Sequence, residues 1–185
     1  MWPWGHLAAG YLCYSLYCRF VAGRAPRGVG TVAVLFGTQA PDLVDKPLAW
    51  TFGLLPSGRS LGHSLVVFAL VAPLVWWVAG RRDHRPLAAA VGFGSLTHLL
   101  TDALYPILRF DFVGAGFLGW PLIPQPTYEG DYGVLTYFLE LQPTPELAFE
   151  FALVVVASVL WHLDGHPGLA TVRSWPGRVV DATRS

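Results

Sequence analysis

The chain has 185 residues, 54% hydrophobic and only 13% charged, with a mean hydropathy of +0.47 and a formal net charge of zero. A soluble domain carries about 25% charged residues, so this depletion points to a membrane protein, and the lack of a basic field argues against a nucleic-acid partner. The length suits one domain, and only two cysteines, Cys13 and Cys18 in one apolar run, argue against a disulfide scaffold or a zinc finger.

The opening MWPWGHLAAG carries no Lys or Arg ahead of its apolar run, unlike a cleaved signal peptide, and reads as a retained first helix. Five apolar runs lie at roughly 7–22, 29–44, 61–80, 87–108 and 146–163. The expected fold class is therefore all-α, a multi-pass helical membrane protein with about five transmembrane helices. The second run is short, bounded by glycines and suited to partial insertion. The third, LGHSLVVFALVAPLVWWVAG, has no Asp, Glu, Lys or Arg, and its length suffices for a hydrocarbon core of about 30 Å. Residues 1–164 form the expected membrane domain, and 165–185 a loose, arginine-containing tail.

Nine of the 12 Lys and Arg residues sit in three places: Arg19, Arg24 and Arg27 after the first run, Arg81, Arg82 and Arg85 after the third, and Arg173, Arg178 and Arg184 in the tail. With five crossings these places share one side, leaving Lys46, Arg59 and Arg109 on the other. Arginine-rich segments stay inside, which puts the C-terminus in the cytoplasm and the N-terminus outside.

On that map His6, Asp42, Asp45, His63, His98 and Asp102, drawn from four helices, all fall at the outer face. His98 and Asp102 are four residues apart in SLTHLLTDALYP, so a helix turns both side chains the same way. Each residue has a plainer use: His6 at an interface beside Trp2 and Trp4, Asp42 in a turn after Pro41, His63 at a helix start. Together they suit a divalent ion, zinc first, with manganese or iron as alternatives. Ionisable groups at membrane depth are rare and mark functional sites. Six candidates exceed one mononuclear site, so either two ions bind or some residues orient the ligands or act as a base, as Asp45 would, for a water made acidic by the metal. His84, His162 and His166 map to the cytoplasmic side.

These motifs, His6 followed by PDLVD, GHS and THLLTD with a following proline, resemble the inner-membrane metal-dependent hydrolase family, the DUF457 group that includes LexA-regulated inner-membrane proteins. The resemblance covers about residues 1 to 106. It implies a small helical membrane hydrolase with Asp42, His63, His98 and Asp102 as metal ligands and His6 next. The family's segments read PD-x-D, HRG-x-THS and SHLLLD. Here the two aspartates of PDLVD stand one residue further apart, and Gly58 replaces a histidine. Arg59 is retained and implies a contact to an anionic substrate group. The His-x3-Asp pair also resembles, more distantly, part of the metal site of zinc-dependent phospholipase C.

The segment from Arg109 to Pro145 is long and rich in Pro, Gly and aromatic residues. Such loops are functional or disordered, and this one, with Trp120, Tyr128, Tyr132 and Tyr137, reads equally as a lid over the site or as a plain interfacial loop. Glu129 and Asp131 are optional further ligands. The leading expectation is a metal-dependent hydrolase acting on a lipid, a phosphoester or another amphiphile reached from the bilayer. A non-catalytic metal binder, sensor or transporter is the alternative. A path across the membrane would need polar groups at every depth, and here they gather at one face. A polar cluster that only fastens helices together is the third reading, opposed by the desolvation of six ionisable groups.

Overall fold

The structure, a computed structural model, describes residues 1–125, 139 and 141–174. Regular structure among them is entirely helical: α1 (Pro3–Phe20), α2 (Gly28–Gly37), α3 (Ala40–Lys46) continuing into a π-helical turn (Pro47–Thr51), α4 (Leu65–Gly80), α5 (Arg85–Leu108), a 3-10 turn (Gly116–Gly119) and α6 (Pro145–Leu163). Proline occupies the first turn of α1, α3, α5 and α6, where its missing N–H leaves no bond unmade. Ser64 and Thr144 cap α4 and α6, their hydroxyl oxygens accepting from Val67 N at 3.1 Å and Leu147 N at 3.2 Å.

Burial runs opposite to that of a soluble protein. His6, His63, His98, Asp45, Asp102 and Glu150 are each at most 4% exposed, while Leu70 is 73% and Val155 62% exposed. Ionisable groups inside and branched apolar side chains outside is the arrangement a hydrocarbon solvent selects. Two helices, α5 and α6, are long and apolar enough to cross a membrane.

The run expected at 61–80 yields a helix of only 16 residues, about 24 Å long. Residues 61–64 are drawn out of it because the Gly62 and His63 amides bind Asp45 and Ser64 caps the helix. The run at 29–44 divides into α2 and α3. The break falls at Thr38, whose hydroxyl turns back to Leu35 O at 2.7 Å and whose carbonyl is taken by His98.

Helix directions alternate about the polar cluster. The N-terminal ends of α1 and α4 and the C-terminal ends of α2 and α5 meet there through His6, His63, Thr38 and Asp102. At the other end of α1, Asp164, just past α6, accepts from Tyr11 Oη at 2.6 Å and Ser15 Oγ at 2.7 Å and pairs with Arg19. Glycine sets the closest helix approach: a Cβ on Gly94 of α5 would lie 2.1 Å from Val34 O of α2, and one on Gly37 2.2 Å from Val91 O. Any larger residue would push α2 and α5 apart and take Thr38 away from His98.

The segment expected as a loose tail begins packed. Pro167 and Gly168 are buried, Trp161 Nε1 donates to Pro167 O at 3.1 Å, and residues 169–174 are helical. Residues 175–185 lie outside the described part.

Candidate metal centre

The centre grows from three supports. The His-x3-Asp spacing on α5 puts His98 and Asp102 on one buried face. The loop before α4 wraps around Asp45, which accepts Ser60 N at 2.7 Å, Gly62 N at 2.8 Å and His63 N at 3.2 Å, and also the His63 Nδ1 proton at 2.8 Å. The α2–α3 break supplies Thr38 O, which accepts the His98 Nδ1 proton at 2.6 Å.

Both rings are thus held from behind in the tautomer that leaves Nε2 with a lone pair. The two Nε2 atoms face each other 3.0 Å apart. Two lone pairs at that distance repel unless a proton or a cation lies between them. The carboxylates complete the wall. Asp42 Oδ1 lies 3.3 Å from His63 Nε2 and 3.8 Å from His98 Nε2, and Asp102 Oδ2 lies 3.6 and 3.9 Å from the same atoms. A tetrahedral ion with ligand bonds of about 2.0–2.1 Å separates its ligands by roughly 3.4 Å. Among Asp42 Oδ1, His63 Nε2 and His98 Nε2 the separations are 3.0 to 3.8 Å, close to that spacing, so these three residues could hold a divalent ion.

His6 approaches the other oxygen of Asp102. Its Nε2 lies 3.2 Å from Asp102 Oδ1 and 3.1 Å from Met1 O, and its Nδ1 2.9 Å from Thr101 Oγ1. The ring stacks on His98 with centroids 3.7 Å apart. Asp102 Oδ1 also receives the Met1 amino group at 2.5 Å, and Asp102 Oδ2 receives Arg59 Nε at 2.9 Å. Two triads, His6–His98–Asp102 and Asp42–His63–His98, have the spacing to hold an ion. They share His98, whose Nδ1 is already committed, so its single free lone pair serves one ion at a time.

Cations meet both carboxylates: Lys46 Nζ lies 2.7 Å from Asp42 Oδ2, and the Met1 amino group and Arg59 Nε lie 2.5 and 2.9 Å from the two oxygens of Asp102.

All seven residues singled out in the sequence, Arg59 among them, meet in this one cluster. Asp45, suggested by the sequence as a base, has both oxygens occupied behind the His63 ring; the structure gives this carboxylate to His63 and not to the Nε2 side. At position 58 a Cβ would lie 3.0 Å from Trp50 Nε1, so the indole fills the space of the histidine that the resemblance would put there. Phe117, 1% exposed, stands edge-on to His63 with Arg59 over its ring. It belongs to the described part of the long loop, which is tied down by a hydrogen bond from Ser64 Oγ to Trp120 O. Tyr128, Glu129, Asp131, Tyr132 and Tyr137 lie outside the described residues. The sequence reading missed Glu150 of α6, buried and accepting Trp2 N at 3.0 Å. Its signal was an acid one turn inside an apolar run. His84 is exposed ahead of α5, and His162 and His166 bond each other at the end of the bundle away from the site.

An all-helical membrane protein with a buried His/Asp cluster able to hold a metal ion is the class that these features define. The chain belongs to the YdjM inner membrane protein family, which it matches over residues 1–164. That range takes in every helix from α1 to α6, well past the segment carrying the motifs. Neither the curated proteins nor the solved structures gave a match.

Proposed function

We propose that the protein is a membrane-embedded metal-dependent hydrolase that cleaves an ester or phosphoester of a lipid or other amphiphile. One observation carries the reading: two imidazole Nε2 atoms, each fixed through Nδ1, face each other at 3.0 Å, with carboxylate oxygens of Asp42 and Asp102 3.3 to 3.9 Å from them. Mixed nitrogen and oxygen donors favour zinc, with manganese or iron as alternatives. When bound, such an ion supplies Lewis-acid polarisation and lowers the pKa of a water.

The chain's own residues supply the rest. Asp42, His63, His98 and Asp102 hold the ion, and His6 steadies Asp102 or takes a ligand place itself. Asp45 and the Thr38 carbonyl orient the two rings, the usual partnership of a ligating histidine. Arg59, with its side chain 40% exposed, offers its planar fork to an anionic substrate group. Phe117 and the apolar helix walls keep bulk water away. The reading includes five membrane-embedded helices with the site at the outer face. Their alternating directions and the clustering of Arg19, Arg81, Arg82 and Arg85 at the opposite ends support it.

The test is elemental mass spectrometry of the detergent-purified protein, paired with hydrolysis of bis(p-nitrophenyl) phosphate and a p-nitrophenyl ester. The expected result is near-stoichiometric zinc, manganese or iron and turnover that a chelator stops. Failure to take up any divalent ion on reconstitution would sink the reading. Metal without turnover of either compound or of vesicle phospholipid would favour a non-catalytic binder or sensor.

A further inference from the structure

Three arginines, Arg81, Arg82 and Arg85, stand at the turn between α4 and α5, with Asp83 as the turn's one acid. All four are exposed. The turn is tight: Asp83 takes a left-handed backbone, and the Arg82 and His84 amides both donate to Ala79 O, at 3.1 and 2.9 Å. This closure lays two of the arginines back on the end of α4. The Arg81 guanidinium lies over the Trp77 ring, 3.8 Å from its centroid, and that of Arg85 lies 5.9 Å from the centroid of Trp76. A Cβ on Gly80 would lie 2.4 Å from Arg85 Nε, so a larger residue there would displace that side chain. Both indoles are about half exposed, and α4 buries none of its residues.

A guanidinium stacked on an indole uses its face. Its N–H donors lie in the plane and point outward, so stacking orients the arginine and leaves free the fork that matches a phosphate. Among the described residues no carboxylate meets that fork: the ion pairs of Lys and Arg side chains are those of Arg19, Lys46, Arg59 and Arg109. A helix C-terminus favours cations by itself, but that attraction needs neither indole. Tryptophans at the end of an apolar helix mark the head-group level of a bilayer, which chooses a lipid over a soluble acidic partner.

We propose that Trp76, Trp77, Arg81 and Arg85 form a head-group site for an anionic phospholipid, its phosphate taken by the two forks and its glycerol resting on the indoles. The site lies at the end of α4 away from the His63–His98 cluster, so it holds a bound lipid and not the substrate. It rests on the membrane-embedded reading of α4 above and is independent of the hydrolase reading.

The test is native mass spectrometry of the detergent-purified protein titrated with phosphatidylglycerol, phosphatidylcholine or glycerol 3-phosphate. Wild type is expected to hold phosphatidylglycerol in preference to phosphatidylcholine. Arg81→Gln and Arg85→Gln should each raise the apparent Kd for phosphatidylglycerol about tenfold. Arg82→Gln removes the same charge from a residue with no ring contact among the described residues, and should leave it nearly unchanged. Arg81→Lys keeps the charge without the fork and should behave as Gln does. Equal loss in the three Gln variants would reduce the site to diffuse surface charge and overturn it. So would equal binding of phosphatidylcholine, or displacement of the lipid by glycerol 3-phosphate at like concentration. Phosphatidylcholine carrying a diazirine on its acyl chain, used in nanodiscs, separates the two readings. Label on the exposed Leu70 and Leu74 without any preference for phosphatidylglycerol would overturn the head-group site alone; no label on α4 would overturn its membrane placement and the site with it.

Discussion

His63 and His98 present their Nε2 atoms to each other at 3.0 Å, and each ring is pinned through Nδ1, one by Asp45 and the other by the carbonyl of Thr38. Rotating either ring away breaks its buried Nδ1 hydrogen bond. His6 stands differently, on the far oxygen of Asp102. The two histidines should therefore separate on mutation. His98→Ala is expected to reduce bound metal to near zero, whereas His6→Ala should retain metal with affinity weakened by about 10–100-fold, the effect of losing an orienting partner. Titration with a fluorescent zinc indicator measures both. Equal loss in the two variants would make His6 a full ligand.

Much of this arrangement was legible in the sequence, for definite reasons. The spacing of His98 and Asp102 needs only helix geometry, and the arginine pattern sorts helix ends without any knowledge of packing. Other features were not legible because they depend on tertiary contacts. Nothing local says that Gly62 and His63 give their amides to Asp45, so the start of the third run reads as helix until the carboxylate claims it. The division of Asp42 and Asp45 into an inward and a rearward carboxylate is a matter of three residues on a short helix. The burial of Glu150 arises only because Gly5 leaves room: a Cβ there would come within 2.6 Å of Glu150 Oε2.

The rearward position of Asp45 has its own consequence. An amide in its place has one acceptor oxygen and brings an NH2 group against backbone N–H donors. Asp45→Asn should thus misorient His63 and loosen the 60–63 loop while leaving Asp42, His98 and Asp102 in place. Metal affinity is expected to drop by about 10–100-fold. Unchanged affinity, measured by the same titration, would remove the orienting role. Hydrogen exchange at Ser60, Gly62 and His63 should rise in parallel.

Glu150 holds the segment that carries His6. Its Oε2 accepts Trp2 N at 3.0 Å, and nothing apolar at position 150 could replace that bond. Glu150→Ala is expected to free residues 2–6, seen as faster amide exchange, and to weaken metal binding by about tenfold through His6. Glu150→Gln keeps an acceptor oxygen and should restore most of both. If Gln behaves as Ala, the charge matters and not the bond to Trp2, and Glu150 acts on the centre electrostatically.

At the other end of α1, Asp164 supplies a pH-dependent clamp between α1 and α6. Burial raises its pKa, but hydrogen bonds from Tyr11 and Ser15 and the Arg19 guanidinium outweigh burial and lower it. A carboxylate whose folded pKa is depressed stabilises the fold above the unfolded value, near 3.9 for aspartate, and that contribution fades as pH falls through the lowered folded value. Wild type in detergent should therefore lose thermal stability on the acid side of about pH 4. Asp164→Asn should be less stable at pH 7 by about 1–3 kcal/mol, the size of hydrogen bonds to a charged acceptor. Arg19 adds little to that figure because its side chain is 41% exposed. The diagnostic quantity is the Tm difference between wild type and variant. It should be largest at neutral pH and shrink steadily below pH 4; a difference that stays constant with pH would show that Asp164 contributes through packing and not through its charge.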